Sequence, residues 1–142
     1  MKKSIKTLNI SKGLSVEEIS AMKDYLKEKN LKINNENAVI VAISKMNEPD
    51  RSLAKQIHNL IKSKIPNLSF KTWYGMPAYT KDDKIICFFQ NAGKFKARYS
   101  TLGFTDKANL DEGKMWPTSF AITTLSPKEE AKIIALIKKA VN

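Results

Sequence analysis

Ile85-Ile86-Cys87-Phe88-Phe89 is apolar at five consecutive positions and is bounded by Asp82-Asp83 on one side and Asn91-Ala92-Gly93 on the other. The run is strand-length, and both bounding segments read as hairpin turns, which makes its neighbours antiparallel. Successive side chains of a strand point to opposite faces, so this strand is apolar on both. Such a strand belongs in the middle of a sheet and is covered twice. Helices can cover one face; a pocket, a subunit interface or more chain must cover the other.

Just upstream, Trp73-Tyr74-Gly75-Met76-Pro77-Ala78-Tyr79 concentrates three aromatics, a glycine and a proline in seven residues. Gly75 permits backbone angles that a Cβ resists, and Pro77 biases Met76 toward extended geometry. The segment reads as a strand broken by a kink or bulge at Gly75 that runs on into Pro77-Ala78-Tyr79.

The remainder divides into helical and extended halves. Residues 1–13 lack periodicity and read as a tail or docking arm; residues 14–142 read as a single domain. Ser15-Val16-Glu17-Glu18 is a capping box opening a helix to about Lys29, with Val16, Ile19, Met22 and Leu26 on one face. Leu31 to Asn35 reads as a polar connector. Ala38 to Met46 contains the β-branched run Val39-Ile40-Val41, yet Val39, Ile40, Ile43 and Met46 fall at helical spacing, and a short helix is the preferred reading. A further helix runs from Glu48-Pro49-Asp50 to about Ile65, burying Leu53, Ile57, Leu60 and Ile61. Extended segments are expected at 69–74, 77–80, 84–90, 94–101 and 119–123, with one helical turn at 105–110. Ser126-Pro127-Lys128-Glu129 is a second capping box, with proline at the first helical position of a terminal helix. Helices, then a meander of strands, then a helix define an α+β fold: an antiparallel sheet of about four to five strands with the C-terminal helix packed on it.

Composition narrows the partners. Of 142 residues, 25 are Lys or Arg and 14 Asp or Glu, a formal charge of +11. That excess favours polyanions, so a small anionic molecule or nucleic acid is the expected class of partner. Only Arg51 and Arg98 are arginines, and lysine suits non-specific attraction better than bidentate recognition. No apolar run is long enough to span a membrane, and the basic N-terminus lacks the apolar stretch of a signal peptide. The single cysteine, Cys87, excludes an internal disulfide and a cysteine-based metal cluster. A cytoplasmic protein, monomeric or homodimeric, is expected.

Lys71 to Tyr79, Ile86-Cys87-Phe88-Phe89-Gln90, Lys94-Phe95-Lys96 and Met115-Trp116-Pro117 together resemble the YdhG-like domains of bacteria, a largely uncharacterised family. The resemblance covers roughly residues 36–141, and Tyr74-Gly75-Met76-Pro77-Ala78-Tyr79 is its most specific element. It implies an α+β domain with helices behind an antiparallel sheet. Some relatives are described as frataxin-like iron chaperones, so the resemblance also implies iron handling. Hard cations want several carboxylates together. Here Glu17, Glu18, Asp24 and Glu28 are interleaved with Lys23, Lys27 and Lys29, while Asp82-Asp83 and Asp111-Glu112 are isolated pairs.

Two constellations stand out as sites. Tyr74, Met76, Tyr79 and Trp116 can line an aromatic pocket or can be core. In a strand, Lys94, Lys96 and Arg98 project from one face, forming an anion stripe or a solvated edge. Together they nominate Tyr74, Met76, Tyr79, Lys96, Arg98 and Trp116 as ligand-binding residues. Cys87 reads as a buried, inert thiol. His58, the only histidine, has no partner motif and reads as a surface or boundary residue. No catalytic set, cofactor motif or metal-ligand spacing is present, so the expected function is non-enzymatic binding of a small anion. The alternatives are iron binding of the frataxin type, implied by the resemblance alone, and non-specific nucleic-acid binding through a basic surface.

Overall fold

A computed structural model describes residues 13–142. All but the last residue of the N-terminal tail expected from the sequence lies outside this range. The protein is α+β: the described residues form three α-helices and one five-stranded antiparallel sheet. The helices are α1 (Val16–Ser44), α2 (Asp50–Lys64) and α3 (Pro127–Ala140). The strands are β1 (Ser69–Trp73), β2 (Met76–Lys81), β3 (Lys84–Gln90), β4 (Ser100–Phe104) and β5 (Ser119–Ile122), in the spatial order of their sequence. Contacts divide the chain into two compact units with the boundary between Asn34 and Asn35.

In the first unit, the Glu18 N–H donates to Ser15 Oγ at 3.1 Å, half of the expected capping box. The expected connector at 31–35 is helical instead, and the predicted short helix is the last part of α1. Neither glycine nor proline occurs between Asn30 and Asn37. Asparagine costs only tenths of a kcal/mol, roughly 0.7 at most, in a helix interior, too little to break one whose end is anchored. Val39 and Ile43 supply that anchor by burial in the core of the second unit.

In that unit, Glu48 caps α2 by accepting the Ser52 N–H at 2.8 Å and the Ser52 hydroxyl at 2.8 Å. These bonds hold its carboxyl below the usual carboxylate range. Glu129 reaches back to the Ser126 N–H at 3.0 Å, completing the box that opens α3. Ile57 and Ile61 of α2 and Ile137 of α3 are fully buried with Tyr79, Phe89 and Leu102 of the sheet. Burial pushes the Cys87 thiol up to about 12.

The register departs from the sequence reading at three places. Trp73 pairs with Met76, and Tyr74 and Gly75 between them have φ of 51° and 75°. The expected kinked strand is therefore a two-residue hairpin of the type that needs positive φ at both central residues. Asp82-Asp83 forms a second such hairpin, as expected, with φ of 50° and 62°. Segment 94–99 is not a strand. Ala92–Phe95 is a 3-10 turn, Lys96 is left-handed at φ 51°, and β4 begins only at Ser100. Local closure wins there: the Ala97 N–H donates to the Ala92 carbonyl (3.0 Å) and the Gly93 N–H to Asp50 Oδ2 (2.8 Å). Starting β4 later places Leu102 and Phe104 in the core, larger apolar groups than the Ala97 of the expected register. At 105–110 the expected helical turn is a hydroxyl-anchored loop, with Thr105 Oγ accepting the Lys107 N–H at 3.2 Å.

β3 is central, as its composition requires, but a bulge changes what its faces carry. Tyr79 pairs with Cys87 and Thr80 with Ile85, leaving Ile86 as the extra residue. Ile86 joins Cys87 and Phe89 in the core with the helices. Phe88 is left on the far face, in the row Lys71, Ala78, Phe88, Gly103, Ser119 that crosses all five strands. A Cβ at position 103 would lie 2.3 Å from Phe88 Cζ, so the ring lies across β4 only because residue 103 is glycine. Gly103→Ala is expected to lower unfolding free energy in urea melts by about 1–3 kcal/mol, the usual cost of overpacking. Adding Phe88→Ala should remove most of that penalty, and a penalty that persists in the double variant would place its cause elsewhere.

Candidate anion-binding cleft

Folding separates the six residues that the sequence nominated. Tyr79 is fully buried and Met76 nearly so, both within β2. Trp116 is partly buried against the core cluster, in the loop between β4 and β5. Tyr74 is 79% exposed at the hairpin tip. Lys96 and Arg98 are exposed in the β3–β4 connection, where Arg98 stacks over the Tyr99 ring at 5.2 Å. The expected stripe of Lys94, Lys96 and Arg98 does not form, because it required a strand that is a 3-10 turn. None of the six lines any of three clefts of about 360, 570 and 190 Å³.

The 360 Å³ cleft lies between the C-terminal part of α1 and α2. Ile40 and Ile43 supply an apolar wall; Arg51, Lys55 and Lys62 supply three cations at helical intervals on α2. Three or four residues per step bring these side chains onto one side of a helix. Lys55 has no ion-pair partner among the described residues, whereas Arg51 meets Glu48 at 3.5 Å.

His58 forms part of the cleft wall and is itself buried, contrary to its reading as a surface or boundary residue. Its Nδ1 lies 3.2 Å from the Tyr79 hydroxyl and its Nε2 3.1 Å from Glu36 Oε2. Glu36 Oε2 also accepts from Lys62 Nζ at 2.8 Å. A carboxylate can only accept, so Nε2–H donates to Glu36, and Nδ1 of the neutral ring then accepts the Tyr79 hydroxyl. Phe70 packs against the imidazole in a T-shaped arrangement, with centroids 4.8 Å apart. The Lys62 hydrogen bond, aided by that from His58, holds the Glu36 carboxyl below the usual carboxylate range. Burial pushes the Tyr79 phenol upward. This tyrosine is therefore a neutral donor within the core and not an exposed acid or nucleophile.

Sequence spacing carried a trace of this arrangement. Lys55, His58 and Lys62 follow one another at steps of three and four, so a single side of α2 bears them. Glu36 falls between the expected connector at 31–35 and the expected short helix at 38–46, and the continued helix brings it to His58.

Among the described residues, no three His, Cys, Asp or Glu side chains converge where a metal ion could sit. Likewise no described helix is long and apolar enough to cross a membrane. No family profile, curated protein or solved structure matches this chain.

Glu36 yields a signed pH prediction. Its folded pKa is below the reference value of 4.5, so its contribution is present above that value. It is lost as pH falls through the folded pKa. The stability gap between the wild-type chain and Glu36→Gln should stay constant above about pH 5 and narrow below it. Urea titrations from pH 6 to 3 measure this; a pH-independent gap contradicts the assignment. Tyr79→Phe should cost about 1–3 kcal/mol at neutral pH, because it strands a buried imidazole nitrogen.

Proposed function

We propose that this chain is a cytosolic, non-enzymatic domain that binds a small organic anion in the cleft between α1 and α2. The carrying observation is the pairing of the Ile40–Ile43 wall with Arg51, Lys55 and Lys62 in one cleft of about 360 Å³. That volume falls in the range of small-molecule sites, which combine an apolar wall with a few placed polar groups. The only carboxylate lining it, Glu36, is already engaged by Lys62 and His58. Lys55 remains for the anion, and Arg51, which meets Glu48 through a single long contact of 3.5 Å, adds the planar fork that a carboxylate or phosphate accepts. His58, held from both ring nitrogens, acts as a rigid wall. The ligand that fits is a carboxylate or phosphate ester with a short apolar body. This reading keeps the chemical class that the composition suggested and moves the site from the Tyr79–Trp116 region to α2.

A thermal-shift screen of carboxylated and phosphorylated metabolites at millimolar concentration tests it. At least one compound should raise the melting temperature. Lys55→Ala or Arg51→Ala should weaken its calorimetric affinity by about tenfold, near 1.4 kcal/mol, as for loss of one charge-assisted contact. No stabilisation by any compound, or binding indifferent to both substitutions, overturns the proposal.

A further inference from the structure

The far face of the sheet carries an aromatic row that the cleft does not use. Trp73 reaches across Ala78 to Phe88, with ring centroids 5.2 Å apart at 64°. Tyr74 continues the row at 5.2 Å from Trp73. Both helices of the second unit that are wholly within it, α2 and α3, pack on the opposite face. Trp73, Met76, Ala78 and Phe88 are absent from the cluster that those helices bury. Trp73 and Phe88 stay half-buried and Tyr74 is open to solvent. Small neighbours make the row accessible: Ala78 and Gly103 flank Phe88 on its two sides, and the ring lies across β4 over Gly103.

Charge selects the occupant. The five strands contain no aspartate or glutamate. Lys71 shares the far face with Phe88 through the cross-strand row. Lys94 sits at the hairpin end, its Nζ donating to the Tyr74 carbonyl at 3.0 Å. Gln90 occupies the same face and is half-buried, offering an amide beside the rings. Aromatic rings that stay partly exposed on the sheet, bordered by lysines, match a chain of unstacked bases joined by phosphates. The rings take the bases and the lysines the phosphates. Lysine in place of arginine fits contact without guanine readout.

We propose that the far face of the sheet, through Trp73, Tyr74 and Phe88 with Lys71 and Lys94, binds single-stranded nucleic acid with little sequence preference. Paired bases cannot offer their faces to the rings, so duplex binds by charge alone. This site is separate from the α1–α2 cleft and stands whether or not that cleft takes an anion.

Fluorescence of the full chain carrying Trp116→Phe, which leaves Trp73 as sole tryptophan, tests the site. Titration with oligo(dT) and oligo(U) at low salt should quench Trp73, with affinity falling as salt rises at a log–log slope of about −0.7 per phosphate contacted. Duplex of equal length should bind at least tenfold more weakly. Trp73→Ala and Tyr74→Ala, tested separately by anisotropy of labelled oligo(dT), should each weaken binding tenfold or more, with circular dichroism unchanged. Lys71→Ala should lower the salt slope. Equal affinity for duplex, or binding untouched by both aromatic substitutions, overturns the proposal in favour of a merely basic surface. Sedimentation showing a dimer whose formation buries Trp73 and excludes oligonucleotide overturns it in favour of self-association.

Discussion

Two hydrogen bonds on one imidazole join three elements of the second unit. His58 stands on α2, Glu36 on α1 and Tyr79 in the middle of β2, and the ring touches both partners at once. A buried polar group without partners costs free energy, so the buried His58 and Tyr79 are acceptable only with their partners in place. The network therefore specifies which part of α1 lies beside α2, and that alignment forms the cleft. Lys62, on the exposed side of Glu36, links the network to solvent. No buried side-chain polar atom is left without a partner among the described residues.

The same economy of burial shapes the sheet. A continuous apolar strand in a two-layer arrangement would leave half of its large side chains without cover. The bulge between β2 and β3 turns Ile86 toward the helices, so Phe88 is the main large ring left behind. Gly103 and Ala78 then let that ring lie along the sheet. One face consequently becomes core, and the other becomes a shallow aromatic surface whose strands carry no acidic residue. The α1–α2 cleft and this aromatic surface differ in chemistry because helix side chains line the first and strand residues on the face away from α2 and α3 form the second.

Part of this was legible in the order of residues. The apolar run at 85–89 required a central strand, and β3 is central. The Ser126 to Glu129 box and Pro127 marked the start of α3, because capping is decided by neighbours three residues apart. Asp82-Asp83 marked a hairpin for the same local reason. Tyr74-Gly75 was equally local but was read as a kink, since a tyrosine at positive φ is an unusual partner for glycine. The candidate site fared otherwise. The sequence nominates Tyr79 for a ligand pocket, whereas the structure buries it with its hydroxyl against His58, 21 residues away on α2.

By itself the sequence determined the α+β class, the central strand, the capped helices and the basic character of the surface. These follow from periodicity, local hydrogen bonds and composition, which act within a few residues. Only the tertiary structure decided that 31–35 continues a helix, that 94–99 turns instead of extending, and that Ile86 and Phe88 part company at a bulge. It alone brought Glu36, His58 and Tyr79 together. Each of those outcomes depends on which distant groups are available to bury or to bond. That competition is settled by the packing of the whole unit, not by any segment.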